Sequence, residues 1–166
     1  MKFPKELIDT SSIETIKVAG RGGKEKELER LLPGWKRAHE KLCDYERLDY
    51  KAKLRLEIKK QANLQWFDVG KYHQLSEEDK KIFVLFVNHL NGEIQSLLLI
   101  QLGDLIGWLC SEDGYKKLGW NDEVFSRAFE FKDKYPALQF KVKLEVLGAY
   151  RKAPHRFEVL YEKSKS

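Results

Sequence analysis

The sequence has few of the residues that would mark a disulfide-stabilised, secreted or metal-binding protein. Its 166 residues include two cysteines, four prolines and one methionine. Cys43 and Cys110 are far apart, and no second Cys/His pair stands at the spacing of a zinc site. The N-terminal stretch MKFPKELIDT also lacks the apolar core of a signal peptide. These absences predict a reducing, cytoplasmic setting and no metal centre.

Long hydrophobic runs and nucleotide-binding glycine motifs are missing as well. The most apolar segment is repeatedly interrupted, for example by Glu93 and Asp104, whereas a membrane-spanning helix needs about 20 nearly continuous apolar residues. The glycine cluster at residues 20–23 does not complete the G-x-G-x-x-G pattern, because Glu25 occupies the last glycine position. No nucleophile-elbow motif occurs either. The sequence therefore predicts no membrane span, no nucleotide cofactor and no enzymatic activity.

Positive charge is present in excess and is unevenly distributed. Lys and Arg number 31 against 26 Asp and Glu, a net charge of +5. Residues 24–62 carry twelve cations against eight acids, and residues 132–166 carry nine against four. Residues 63–131 are acidic, with six cations against eleven acids. If the basic flanks fold onto one side, they form a face that attracts phosphates.

The segment Ser76–Cys110 has the densest apolar content and predicts two central helices. Ser76 is followed by three acidic residues, which is typical of a helix N-terminus. Asn91 and Gly92 tolerate positive φ, which predicts a helix C-cap and a turn. From Glu93 to about Ser111 apolar residues recur at helical spacing, so a second, buried helix is expected.

The flanking segments favour further helices, although two of them also fit strands. Trp35 to Ala62 reads as one long helix, yet residues 50–58 alternate apolar and charged side chains as a strand does. Helix-forming residue types favour the helix there. Residues 139–162 fit either two helices or a β-hairpin. The predicted fold is thus a mainly α, single-domain helical bundle over 1–166 with a loosely structured lead-in over 1–23. The alternative is an α+β fold with a C-terminal β-hairpin.

The most basic short stretch, residues 51–60, carries five cations and one acid. On a helix or on a strand these cations line up, so they can follow a phosphate backbone. Trp35 is flanked by cations and is predicted to stack on an unpaired base. The glycine-rich turn adds two cations as nonspecific phosphate contacts. The predicted nucleic-acid-binding residues are Lys51, Lys53, Arg55, Lys59, Lys60, Trp35, Lys36, Arg37, Arg21 and Lys24.

These residues predict a non-enzymatic nucleic-acid-binding protein or a subunit of a nucleoprotein complex. Phosphate contacts carry no sequence information, so it is expected to bind DNA or RNA with little sequence preference. The alternative is a protein-interaction module whose acidic, apolar central helices bind partner proteins of a larger complex. Neither hypothesis requires a cofactor.

Overall fold

The computed structural model has a mixed β-sheet at its centre. It describes residues 3–18, 26–40, 42–49, 52–61, 65–68, 75–109, 111, 141–144 and 146–164. Within these ranges a six-stranded sheet is accompanied by a two-stranded sheet and short helices. The predicted helical bundle is therefore wrong.

Strands outnumber helices in the described part of the chain. The strands are β1 (Lys36–Arg37), β2 (Tyr45–Asp49), β3 (Ala52–Gln61), β4 (Gln65–Asp68), β5 (Phe83–Leu90), β6 (Glu93–Gln101), β7 (Lys141–Leu144) and β8 (Glu158–Glu162). The α-helices are α1 (Glu77–Lys80), α2 (Leu102–Leu109) and α3 (Val146–Lys152). Short 3-10 turns span Lys5–Leu7, Ile13–Thr15, Leu28–Leu31 and Pro154–Arg156. Among these helices none has the length and apolar content needed to cross a membrane.

The chain divides into two compact units. The first, here called the sheet unit, comprises Met1–Ala62, Phe83–Leu99 and Glu158–Ser166. The second unit comprises Asn63–Ile82 and Ile100–Phe157. The six-stranded sheet belongs to the first, apart from the last two residues of β6, and the β4–β7 pair with α1, α2 and α3 belongs to the second. The single-domain organisation stays a prediction.

The six-stranded sheet has the order β1-β2-β3-β5-β6-β8. β1 with β2, β2 with β3, and β6 with β8 are antiparallel, whereas β3 and β5 run parallel. In this central pair Leu56 lies beside Phe83, and Ile58 lies beside Leu85. Parallel strands are usually buried on both faces and read as continuous apolar runs. That is why β5 begins with six consecutive buried residues.

The turn at Asn91 and Gly92 is confirmed, but it connects two strands instead of two helices. Both residues have positive φ, 52° and 84°. Two such residues in succession form the type I′ turn, whose twist matches a β-hairpin. β5 and β6 are accordingly neighbours in the sheet. Asn-Gly between apolar runs is the strongest short-range signal for a hairpin, and it outweighs the helical periodicity predicted on either side.

The predicted Trp35–Ala62 helix is wrong, because part of this segment forms strand β3. Leu54, Leu56 and Ile58 are all buried, and on a strand these alternate residues point to the same side. On a helix they would be spread about 200° around the axis, so one face could not bury all three. Burial therefore overrides the helix propensity of the Lys, Arg and Glu residues between them.

The N-terminal segment covers the apolar side of the sheet. Although a loose lead-in is predicted there, residues 3–18 contribute buried side chains, and Val18 N donates to Gly92 O at 2.8 Å. The physical reason is that the sheet needs an apolar layer on this side. The cluster of buried residues consists of Phe3, Leu7, Ile8, Ile13, Ile16, Val18, Leu28, Leu31, Leu32, Trp35, Tyr45, Leu54, Leu56, Ile58, Phe83, Leu85, Val87, Ile94, Leu97 and Leu99.

In the second unit the predicted helix start at Ser76 is confirmed. Ser76 Oγ accepts a hydrogen bond from Asp79 N at 3.1 Å and so caps α1. The helix predicted from Glu93 to Ser111 is helical only over Leu102–Leu109. A Cβ added at Gly103 would lie 2.8 Å from Lys80 Cβ, so α1 and α2 pack closely there. The absence of a side chain at Gly103 is therefore what permits this close approach.

The C-terminal segment contains strands, but they do not form the hairpin that the alternative fold predicts. β7 pairs with β4, and β8 pairs with β6. Helix α3 lies between them in sequence. The alternation of apolar and polar residues within 139–162 fits strands. The alternation along one strand does not determine which other strand it pairs with.

Leu56 tests the core directly. Leu56→Ala should lower the free energy of unfolding by about 2–5 kcal/mol, because it removes a side chain with no solvent exposure from the centre of the sheet. The measurement is a chemical denaturation curve followed by circular dichroism. Leu48→Ala is the control, since Leu48 is 84% exposed on the neighbouring strand and should change stability little. Equal effects of the two substitutions would contradict this assignment of the core.

Candidate nucleic-acid interface on strand β3

The polar side of β3 gathers most of the charged residues that the sequence singles out. Lys53, Arg55, Glu57 and Lys59 alternate with the buried residues of the strand, so they share the opposite side. Glu40 and Glu46 form ion pairs with them. These six residues are called the β3 polar face below.

At one end of this face the cations are held by two glutamates. Lys53 Nζ lies 2.8 Å from Glu46 Oε2 and 4.0 Å from Glu40 Oε1. Arg55 contacts Glu40 Oε2 with both Nη2, at 2.7 Å, and Nε, at 2.8 Å. The hydrogen bond to Glu46 raises the pKa of Lys53, so this ammonium is charged at neutral pH. The geometry fixes the positions of both cations on the strand.

Glu40 connects this network to a buried thiol. Cys43 Sγ donates to Glu40 Oε2 at 2.8 Å, the same oxygen that Arg55 contacts. The hydrogen bond from Cys43, followed by that from Arg55, lowers the pKa of Glu40. Burial, and then the hydrogen bond to Glu40, raises the pKa of Cys43 to about 12. The thiol is therefore a structural donor and not a nucleophile at neutral pH.

Glu57 and Lys59 form the least exposed ion pair of the face. Lys59 Nζ lies 3.3 Å from Glu57 Oε1, and the two side chains are 23% and 14% exposed. Both residues lie beside β5, where Val84 and Phe86 are their register partners and are buried. A charged pair beside buried apolar residues is the kind of environment in which functional groups occur.

The ends of β3 and β5 add a polar group that sequence analysis did not identify. Asn88 is 1% exposed and donates from Nδ2 to Ser96 Oγ at 2.8 Å. Its Oδ1, and Nδ1 of His89, are buried without a hydrogen-bond partner among the described residues. Burial, and then the positive charge of Lys60, lowers the pKa of His89, so its imidazole is neutral at pH 7. Because most residues of β5 are apolar, the sequence pattern did not indicate a site at Asn88 and His89.

Trp35 does not have the position that base stacking requires. It belongs to the buried cluster, lies parallel to Phe3 at 6.2 Å, and donates its indole N–H to Leu7 O at 2.9 Å. Its ring is therefore no exposed stacking platform. Tryptophan carries so much apolar surface that burial against the sheet outweighs its neighbouring charges.

The other predicted residues are divided between β1 and undescribed positions. Lys36 and Arg37 are exposed on β1, with Arg37 Nε 3.4 Å from Glu29 Oε1 and its guanidinium 5.7 Å from the centre of the Tyr45 ring. Lys60 adjoins Val87 of β5 and lies on the opposite side of β3 from Lys59. Three more predicted residues lie outside the described ranges: Arg21, Lys24 and Lys51.

The alternative function, a protein-interaction module, loses the central helices on which it was based. The apolar residues of β5 are buried in the sheet, and the large apolar side chains exposed on the described surface are Leu48 and Leu90. No cluster of three His, Cys, Asp or Glu side chains arranged to hold a metal occurs in the described ranges. Partner proteins stay a prediction.

Comparison with known proteins finds no matching family model, no matching curated protein and no matching solved structure. The function therefore has to be inferred from the geometry of the chain itself.

Cys43 offers a test of the hydrogen-bond network around Glu40. A rise of the thiol pKa from 9.0 to about 12 lowers the thiolate fraction near pH 8 about a thousandfold, and the thiolate is the reactive form. In a Cys110→Ser variant, Cys43 should resist iodoacetamide in buffer and react rapidly in urea, as measured by mass spectrometry. Equal rates in the two conditions would show that the thiol is not held as described.

Proposed function

We propose that the protein is a cytoplasmic, non-enzymatic nucleic-acid-binding protein, or a subunit of a nucleoprotein complex, that contacts phosphates through the β3 polar face. The observation that carries the proposal is the alignment of Lys53, Arg55 and Lys59 on one side of a single strand. At about 3.3 Å per residue they extend over roughly 20 Å, a length that spans several phosphates. Backbone contacts of this kind bind DNA or RNA with little sequence preference.

Ion pairing within the face is compatible with phosphate binding. Exposed ion pairs contribute only about 0–1 kcal/mol each, and Lys53, with its side chain 45% exposed, is in this class. Replacing the carboxylate partner of Lys53 by a phosphate therefore costs little free energy, while binding releases counterions from the nucleic acid. The carboxylates also hold the cations in extended positions before binding, which lowers the entropy lost on association.

The test is a double variant that neutralises two lysines of the face, Lys53→Gln/Lys59→Gln. Affinity for nucleic acid at low salt should fall at least about tenfold. The slope of log K against log salt should become shallower by about 1.5, because two phosphate contacts are lost. The measurement is fluorescence anisotropy with labelled single- and double-stranded DNA and RNA at several salt concentrations, with circular dichroism as the folding control.

The control variant, Lys80→Gln/Lys81→Gln, removes the same charge from α1 and its C-terminal cap. Its lysines are paired with glutamates at 2.9 and 3.3 Å, close to the 2.8 and 3.3 Å of the β3 pairs. It should bind nucleic acid as the wild type does. If the wild type binds none of the four nucleic acids at low salt, or if both variants lose affinity equally, the proposal is wrong.

A second candidate function is phosphodiester hydrolysis, and the low exposure of the Glu57–Lys59 pair favours it. Asp44 immediately precedes Tyr45, which pairs with Leu56, so Asp44 and Glu57 adjoin on neighbouring strands. Asp44 Oδ2 accepts a hydrogen bond from Ile58 N at 2.8 Å, which fixes this carboxylate beside β3. Magnesium is often held by one or two carboxylates together with substrate phosphate. Lys59 would then stabilise negative charge on the phosphate that water attacks.

Hydrolysis has a direct measurement. With magnesium or manganese, end-labelled DNA or RNA should be cut into products with a phosphate monoester at one new end and a hydroxyl at the other. Glu57→Gln should abolish cutting while binding is retained, because it removes a carboxylate without removing a cation. Glu78→Gln on α1, whose side chain is 79% exposed, is the control and should cut normally. Absence of divalent-dependent products from the wild type would eliminate this candidate.

A further inference from the structure

The second unit contains a cavity that the β3 polar face does not use. Its volume is about 520 Å³, within the usual range of 300–1,000 Å³ for small-molecule sites. It lies between one side of α2 and the 3-10 turn Pro154–Arg156. The described residues that line it are Gly103, Asp104, Gly107, Trp108, Ser111, His155 and Arg156.

Trp108 forms part of the wall of this cavity. The residue is 2% exposed, and its indole Nε1 is buried without a hydrogen-bond partner among the described residues. Because this nitrogen has no surface open to water, a ligand in the cavity would pack against the indole ring and not against its N–H.

Charged groups of both signs surround the same space. The Arg156 guanidinium lies 5.4 Å from the centre of the Trp108 ring, a cation–π contact that holds it at the cavity wall. His155 is its neighbour on the turn, and the exposed Asp104 lies across on α2. Arginine presents a planar fork of donors that suits phosphate, whereas a carboxylate accepts hydrogen bonds from hydroxyl groups. The ligand that complements both is a phosphate attached to a hydroxyl-bearing group.

Gly107 keeps the cavity open on the helix side. A Cβ added there would meet no atom within 4 Å, whereas one added at Gly103 would press against Lys80. The two glycines of α2 therefore differ, since Gly103 permits helix packing and Gly107 borders free space. A large side chain at position 107 would project into the cavity without displacing a described neighbour.

We propose that this cavity binds a small sugar phosphate, free or as part of a nucleotide. Arg156 and His155 contact the phosphate, Asp104 accepts hydrogen bonds from sugar hydroxyls, and the Trp108 ring forms an apolar wall for the sugar. The site lies within the second unit, so the proposal is independent of phosphate binding at the β3 polar face.

The experiment is isothermal titration calorimetry of the full chain with ribose 5-phosphate, ribose and inorganic phosphate. Ribose 5-phosphate should bind at least about tenfold more tightly than either fragment, because it engages both Arg156 and Asp104. Arg156→Gln should weaken this binding about tenfold, and Gly107→Leu should abolish it. Adenosine 5′-monophosphate, titrated in the same way, separates a nucleotide from a free sugar phosphate, since only a nucleotide site gains affinity from the base.

Three controls make the outcome decisive. Arg151→Gln removes an exposed cation from α3, outside the cavity lining, and should bind ribose 5-phosphate as the wild type does. The Lys53→Gln/Lys59→Gln variant should also bind normally, which separates this site from the β3 polar face. Thermal unfolding should show that Gly107→Leu is folded, since its side chain enters open space. The proposal is overturned if ribose 5-phosphate does not bind, if inorganic phosphate binds as tightly, or if both cavity variants bind like the wild type.

Discussion

Burial of the alternate residues Leu54, Leu56 and Ile58 is the constraint on which the sheet unit depends. Once these residues face the apolar cluster, every intervening residue of β3 must face the other way. A slip of one residue would put Lys53, Arg55 and Lys59 into that cluster, at a cost of several kcal/mol per buried charge. The core therefore fixes both the register of β3 and the position of its charges. The buried apolar side of β3 and the candidate interface on its other side therefore both follow from the alternation of apolar and charged residues along this strand.

The charges of the β3 polar face differ in how strongly they interact. Lys53 and Glu46 have side chains that are 45% and 33% exposed, so water screens the attraction between them. Glu57 and Lys59 are mostly shielded from water, and removing either partner would leave a poorly solvated charge. Glu40 lies between these cases, because one of its oxygens accepts from both a buried thiol and a guanidinium. Neutralising Lys53 should consequently perturb the fold less than neutralising Lys59, which is why the folding control matters.

Sequence reasoning identified the charged line on β3 but not its secondary structure. The alternation at residues 50–58 fits a strand, whereas the residue types there favour a helix. The alternation is the stronger signal, because three buried residues at every second position cannot share a helix face. The Asn91-Gly92 pair likewise indicates a turn. Because both residues have positive φ, the turn is of the type that connects the strands of a β-hairpin. Glu40 and Glu46 were not predicted as site residues, because they reach Lys53 and Arg55 only through strand pairing. Trp108 and Arg156 are 48 positions apart in the sequence, so no local pattern could have placed one over the other.

The charge balance of the β3 polar face limits how it can recognise nucleic acid. Three cations there, Lys53, Arg55 and Lys59, are matched by three acids, Glu40, Glu46 and Glu57. The face is therefore close to neutral, and it cannot attract phosphate from a distance as an unbalanced basic patch does. Attraction over longer range has to come from the net charge of +5 of the whole chain. The proposed binding at β3 would then depend on contact, in which phosphate oxygens replace carboxylate oxygens on cations that are already in position. Such an exchange favours a ligand whose anionic groups repeat along a line, and a phosphate backbone has that geometry.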